Sequence, residues 1–333
     1  GSFLAAPPGA PPKAPAIWSI MAIIWAPSVV SSTRVPLPSL YPDPPLLRSH
    51  ALPVPGGHVL QVQEFGAADG IPAVVLHGGP GSGCSPLLRR VFDPARYRIV
   101  CPDQRGAGGS VPRGGIEHNS TDELLADLRR VRETLGIRRW LVSGGSWGAT
   151  LAVAHAAAEP EAIVALLLRA SFLARPQDIA GFFGELSLDA LAEALSSNDM
   201  AMREAAALSW WHREQALAGT AGTAAPPKGE ALAFQIDRLR VQAHYLRHGC
   251  WLQAPTLLER CEALPRVPTR LIHARDDRIC PADGAFALHQ RLPHATLQWV
   301  DEGGHDPSHP ALVGATVAAL DHYAAHGNFG ASA

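Results

Sequence analysis

Cysteine is scarce in this chain, and what there is falls at no paired spacing: Cys84, Cys101, Cys250, Cys261 and Cys280 form no C-x-x-C. A zinc ribbon and a dithiol redox site are thereby excluded, and an odd, scattered set reads as reduced thiols in a cytoplasmic protein. An excess of one charge is also missing. The formal net charge is −2, which leaves no basic stripe to track a nucleic acid. Long apolar runs are absent as well. "AIWSIMAIIWAPSVVSS", after Lys13, is shorter than the roughly 20 residues that span a bilayer, and Pro27 interrupts it. No stable membrane association is expected. Lys13 before that run permits an export signal, but the Pro- and Ala-rich start reads better as a non-catalytic extension over 1–39.

What is present is enough apolar sequence, 47% of 333 residues, to bury a full core. From Leu40 the pattern becomes globular. "HVLQVQEFG" alternates as an exposed strand does. "PAVVLHGGPGSG" and "YRIVCPDQRGAGGS" are each a buried strand running into a loop of small residues. "STDELLADLRRVRETLG" is a helix: Ser120 with Glu123 makes a capping box, Leu124, Leu128, Val131 and Leu135 share a face, and Gly136 ends it. "RRWLV", "AIVALLLRA", "TRLIHARDD" and "ATLQWVDEGGH" supply further strands. Strands alternating with helices predict a mainly parallel sheet covered on both faces. Between them, 175–267 reads as an inserted helical layer broken by the flexible "AGTAGTAAPPKGE", so 40–174 and 268–333 form one core.

The chemistry centres on "VSGGSWGATLA". Gly144-Gly145-Ser146-Trp147-Gly148 fits G-x-S-x-G between a strand and a helix. There the glycines permit a sharp turn that lifts a serine hydroxyl above the sheet, beside a helix N-terminus. Such a serine needs a base and a group to orient it, in the chain order nucleophile, acid, histidine. Asp276 or Asp277 can supply the acid, and His305 or His309 the base, with His305 favoured by the two glycines before it at the strand exit. A metal reading of the His-Asp-x-x-x-His run lacks a third ligand, and no metal or cofactor is expected. The oxyanion needs two backbone donors, and the Trp147 amide and that of Gly79 in "HGGPG" are placed to serve. His77 reads as a brace for that loop.

In these motifs, "LYP", "LHGGPG", "DQRGAGGS", "GGSWGATLA", "ARDDRICP" and "GGH", in this order from Leu40 onward, the chain resembles the proline iminopeptidase family of α/β-hydrolase serine peptidases. The resemblance implies an α/β-hydrolase fold with an inserted helical cap. It also implies a catalytic set of Ser146, Asp277 and His305, with Asp103 and Arg105 as bracing charges. The substrate it implies is a small peptide whose N-terminal proline is released, its charged imino group received by two glutamates of the insertion. The first falls on Glu214 in "WWHRE", where Arg213 adds a nearby cation. At the second, in "RVQAHYL", stands Gln242, which accepts a hydrogen bond but carries no charge. Phe172 falls on the family's pocket phenylalanine. The glutamine opens an alternative of the same fold, an esterase or amidase for small neutral acyl substrates.

Overall fold

The computed structural model describes residues 39–330. The expected extension over 1–39 lies, except for Ser39, outside them. One sheet of eight strands organises the molecule. Its members are β1 (Leu46–Val54), β2 (His58–Gly66), β3 (Ile71–Leu76), β4 (Tyr97–Pro102), β5 (Trp140–Gly145), β6 (Ile163–Arg169), β7 (Thr269–Ala274) and β8 (Thr296–Val300). They lie in the order β1-β2-β4-β3-β5-β6-β7-β8. β2 is antiparallel to both its neighbours, and every pairing from β4 across to β8 is parallel.

The parallel strands are nearly unbroken apolar runs because both faces are covered. Val74, Val142, Leu168 and Leu271 point into one core, with helices α2 (Thr121–Thr134) and α3 (Trp147–Ala158). Their neighbours Val75, Leu141, Leu167 and Ile272 point into the other, beneath α10 (Pro310–His326). The short α1 (Pro86–Arg89) follows the loop after β3, and α9 (Ala282–Arg291) links β7 to β8. Five α-helices fall between β6 and β7: α4 (Pro176–Phe183), α5 (Leu188–Ser196), α6 (Met200–Ala218), α7 (Gly229–Arg247) and α8 (Leu257–Arg260). The Gly/Ala/Pro-rich stretch is the connection from α6 to α7.

Two local expectations are modified. β2 is not an exposed strand: His58, Leu60, Val62 and Glu64 are buried, Leu60 and Val62 in the core shared with α2, and its outer edge is paired with β1, which no sequence signal announced. Ser120 accepts from the Glu123 amide at 3.4 Å, but the Glu123 carboxylate pairs with Arg105 at 2.9 Å instead of closing the box. The helix itself forms as predicted.

After β3 the chain moves outward to β4, then crosses back to β5 on the other side of β3. The loops after β3 and β5 therefore part at the carboxyl edge of the sheet, where a parallel α/β sheet opens its crevice. Everything in the candidate site gathers there.

Candidate active site

Ser146 is forced into its position by its neighbours. Its backbone is held at φ 57°, ψ −127°, a conformation that costs a non-glycine residue about 1–3 kcal/mol. A Cβ at Gly144 would stand 2.1 Å from the Gly148 carbonyl oxygen, and one at Gly148 the same distance from that of Leu76. Only hydrogen fits at either position. α3 can then start at once, and it is buried on every side from Trp147 to Ala156, its small residues letting it lie against the sheet.

His305 sits in the loop after β8. Its Nδ1–H donates to Asp277 Oδ2 at 2.7 Å. The other carboxylate oxygen, Oδ1, accepts from the amides of Ile279 at 2.9 Å and Cys280 at 2.8 Å. Burial alone would push the Asp277 carboxyl up, but His305 and the Cys280 amide outweigh it and hold it below the usual range. For His305 burial again opposes charge, and the Asp277 carboxylate outweighs it, lifting the imidazole well above its ordinary 6.5. The adjacent aspartate has a different task. Asp276 accepts from the amides of Gly303 and Gly304, at 3.4 and 2.8 Å, and so pins the bend that delivers His305. His309 stands at the N-terminus of α10, its buried Nδ1 without a hydrogen-bond partner among the described residues.

Among the described residues no direct hydrogen bond joins Ser146 to His305. The buried Cys280 thiol lies between them, 3.9 Å from Ser146 Oγ and in contact with the imidazole. Burial raises the thiol's pKa, so it is present as S–H. His273, fully buried, supports this loop by bonding the Cys280 carbonyl at 2.8 Å.

The loop after β3 reaches the same point from the other side. A Cβ at Gly78 would lie 3.5 Å from Ser146 Cβ. Gly79 is held at φ +113°, open to glycine and strained for other residues. Among the described residues the Gly79 and Trp147 amides donate to no other group. His77 Nε2 accepts from the Gln104 amide at 3.0 Å, so its proton sits on Nδ1 and is donated to the Gly78 carbonyl at 2.9 Å. Burial pushes its pKa down to about 4, and the ring stays neutral. Gln104 also accepts from the Trp147 indole at 2.8 Å, tying both sides of the crevice together. Asp103 braces this region through the amides of Cys84 and Gly109, at 2.6 and 2.8 Å. Arg105, also buried, forks onto Asp127 at 2.6 and 2.8 Å.

A neutral oxygen nucleophile, an imidazole oriented by a buried carboxylate, and two unused amides are the parts needed for acyl transfer. Residues 72–310 match the model of the α/β hydrolase fold. A proline iminopeptidase of Xanthomonas citri is 35% identical over 311 residues, covering 86% of this chain and 99% of the relative. A probable proline iminopeptidase of Leptolyngbya boryana is 32% identical over 315 residues, covering 86% and 97%. The chain belongs to the proline iminopeptidase family of α/β hydrolases. Among solved structures, an esterase from Rhodococcus sp. superposes with a TM-score of 0.60 at 18% identity, covering 86% of this chain and 99% of that one. A hydrolase from Pseudomonas aeruginosa gives 0.58 at 20%, covering 83% and 97%. At such identities they speak for the fold.

Against that family background, the residues that the resemblance assigns to the substrate's N-terminus are arranged unexpectedly. Arg213 is turned away: it donates to the carbonyls of Phe182 and Gly181, at 2.6 and 3.1 Å, and caps α4. The cation at Glu214 is Arg238 of α7, whose Nη1 and Nη2 donate to the two carboxylate oxygens at 3.1 and 2.6 Å. The same Nη1 reaches the side-chain oxygen of the buried Gln242 at 3.2 Å. Phe172 is half-buried at the edge of the main core. A second unforeseen cation is Arg169, at the end of β6. Its guanidinium lies over Gly145, 3.1 Å from where a Cβ would stand, and has no hydrogen-bond partner among the described residues. Burial lowers its pKa to about 10, so it remains charged at neutral pH. Its only sequence signal is a charge at the end of an otherwise apolar strand.

Proposed function

We infer that this chain is a serine aminopeptidase that releases N-terminal proline from small peptides. The observation that carries the reading is its identity of 32–35% with curated proline iminopeptidases, over nearly their whole length in the bacterial relatives. In this reading Ser146 is the nucleophile, His305 the base and Asp277 the residue that orients it. Rotation of the Ser146 side chain between staggered wells exchanges the Cys280 thiol for the imidazole as partner. Oγ then attacks the prolyl carbonyl as His305 takes its proton, and the amides of Trp147 and Gly79 receive the developing oxyanion. The imidazolium returns the proton to the departing amine, leaving a prolyl ester on Ser146, and water activated by the same histidine hydrolyses it.

Helices α4–α8, over 175–267, act as a cap on the 40–174 and 268–333 core and hold Glu214 and Gln242 near the substrate's imino group, with Phe172 against its ring. Small peptides or amides are the partners, and five free cysteines suit a reducing, cytoplasmic setting. Among the described residues no helix is long and apolar enough to cross a membrane. The test is release of a chromogenic amine from prolyl amides. Turnover that disappears in Ser146→Ala supports the reading, and no turnover of any N-terminal prolyl amide defeats it. The alternative, an esterase or amidase for small neutral acyl groups, is favoured by one observation: Arg238 neutralises the carboxylate meant for the ammonium.

A further inference from the structure

Both side chains named above as the receptor for a charged N-terminus, Glu214 and Gln242, already accept hydrogen bonds from a single arginine. Arg238 spans α6 and α7, giving two N–H bonds to Glu214, one to Gln242 and one, from Nε at 2.8 Å, to Gln235. The pair is largely buried, with side-chain exposures of 12% for Arg238 and 19% for Glu214, so water screens it weakly. Its turn of helix is seated on the loop that holds Gly79. A Cβ at Gly81 would lie 2.6 Å from the Arg238 carbonyl oxygen, and seven residues on, Tyr245 packs edge-on against Trp147 at 5.1 Å. Residues 238, 242 and 245 share one helix face. The guanidinium is therefore held at the crevice.

We propose that Arg238 is a specificity-determining residue that competes with the substrate's N-terminal ammonium for Glu214 and shifts selectivity toward acyl groups with a neutral N-terminus. The proposal rests on Glu214 and Gln242 being the receptor named under the proposed function. Its physics is a charge count: one carboxylate and one guanidinium sum to zero, so an incoming ammonium meets no net attraction and must displace a forked partner to gain any. A guanidinium that merely held Glu214 in place would act with the opposite sign, since its removal would then spoil the receptor.

The experiment compares kcat/KM for the p-nitrophenyl esters and p-nitroanilides of free proline and of N-acetylproline. The ratio of free to acetylated substrate is the readout, because it cancels changes common to both. Arg238→Met raises the ratio by about tenfold, the worth of replacing a neutral by a charge-assisted hydrogen bond. Arg238→Gln raises it in the same direction. Arg238→Lys keeps the charge and leaves the ratio within about threefold of the starting value. Thermal melts identify any variant that has not folded, and the two neutral variants, different in shape, guard against losing both. An unchanged or lowered ratio in the folded neutral variants overturns the proposal. If esters are hydrolysed and anilides are not, the aminopeptidase reading fails, while the ester ratio still decides the role of Arg238.

Discussion

Replacing Asp277 by asparagine should do more damage than the loss of one charge suggests, because the surroundings dictate which way the amide must face. Oδ1 receives two backbone N–H donors, from Ile279 and Cys280. An NH₂ group there would meet both head-on, and leaving buried donors unpaired costs about 1–3 kcal/mol each. The asparagine carbonyl therefore takes that side, and its NH₂ is aimed at His305 Nδ1, 2.7 Å from the replaced oxygen. The imidazole must then accept at Nδ1 and carry its proton on Nε2, the tautomer that cannot take a proton from Ser146. A fall in kcat of about 10⁴ is expected, the size known for this change in a triad protease. The pH profile should move as well. In the proposed mechanism the imidazole must start neutral and its pKa stands above 6.5, so activity should rise with pH through that elevated value. Without the carboxylate, whatever activity is left to Asp277→Asn should have its acidic limb at lower pH. The assay is prolyl p-nitroanilide hydrolysis across pH, with thermal melts to show folding. A folded Asp277→Asn retaining activity within tenfold of the original, or an unmoved acidic limb, would refute the reasoning.

Other expectations concern different links in the chain. Gly148→Ala drives a methyl to 2.1 Å from the Leu76 carbonyl, and should cost about 3 kcal/mol or more, seen as a lowered denaturant midpoint. Asp276→Ala frees the Gly303 and Gly304 amides and should lower kcat by roughly 10–100-fold with little change in KM, since a displaced His305 affects only the chemistry. Gln242→Glu restores a charge and should raise kcat/KM for free prolyl amides about tenfold; no improvement would defeat the charge-deficit argument. Glu159 is buried; Arg129 and Arg132 outweigh that burial and hold its carboxyl below the ordinary 4.5. A depressed carboxylate stabilises the fold above its unfolded pKa and stops doing so as pH falls through the folded one. Glu159→Gln should therefore lower Tm at pH 7 and make little difference near pH 3.

The features that sequence discloses here are those encoded over a few adjacent positions. The Ser120 cap, the buried face of Leu124, Leu128 and Val131 and the closing Gly136 specify α2 locally, and it forms where expected. The glycines around Ser146 were equally readable, because the reason for them, a strand turning directly into a helix, lies in the same eleven residues. β1 escaped notice because its exposed, irregular "LLRSHALPV" gains its form from pairing with β2. The choice between Asp276 and Asp277 was beyond periodicity: adjacent residues diverge in direction, one to the glycine bend and one to the imidazole. Arg238 was invisible for a stronger reason. It meets Glu214 across 24 residues and two helices, and only their packing shows that the cation near that carboxylate is not the neighbouring Arg213.

The mechanism proposed above stands or falls on whether Ser146 carries the prolyl group. Quenching the enzyme in acid during turnover of a prolyl ester, then digesting it and weighing the peptide that contains residues 142–152, tests this directly. The expected product is a peptide heavier by one prolyl residue, absent in Ser146→Ala and accumulating in proportion to the burst of released alcohol. A burst with that peptide unmodified, or a prolyl adduct on Cys280 instead, would contradict it.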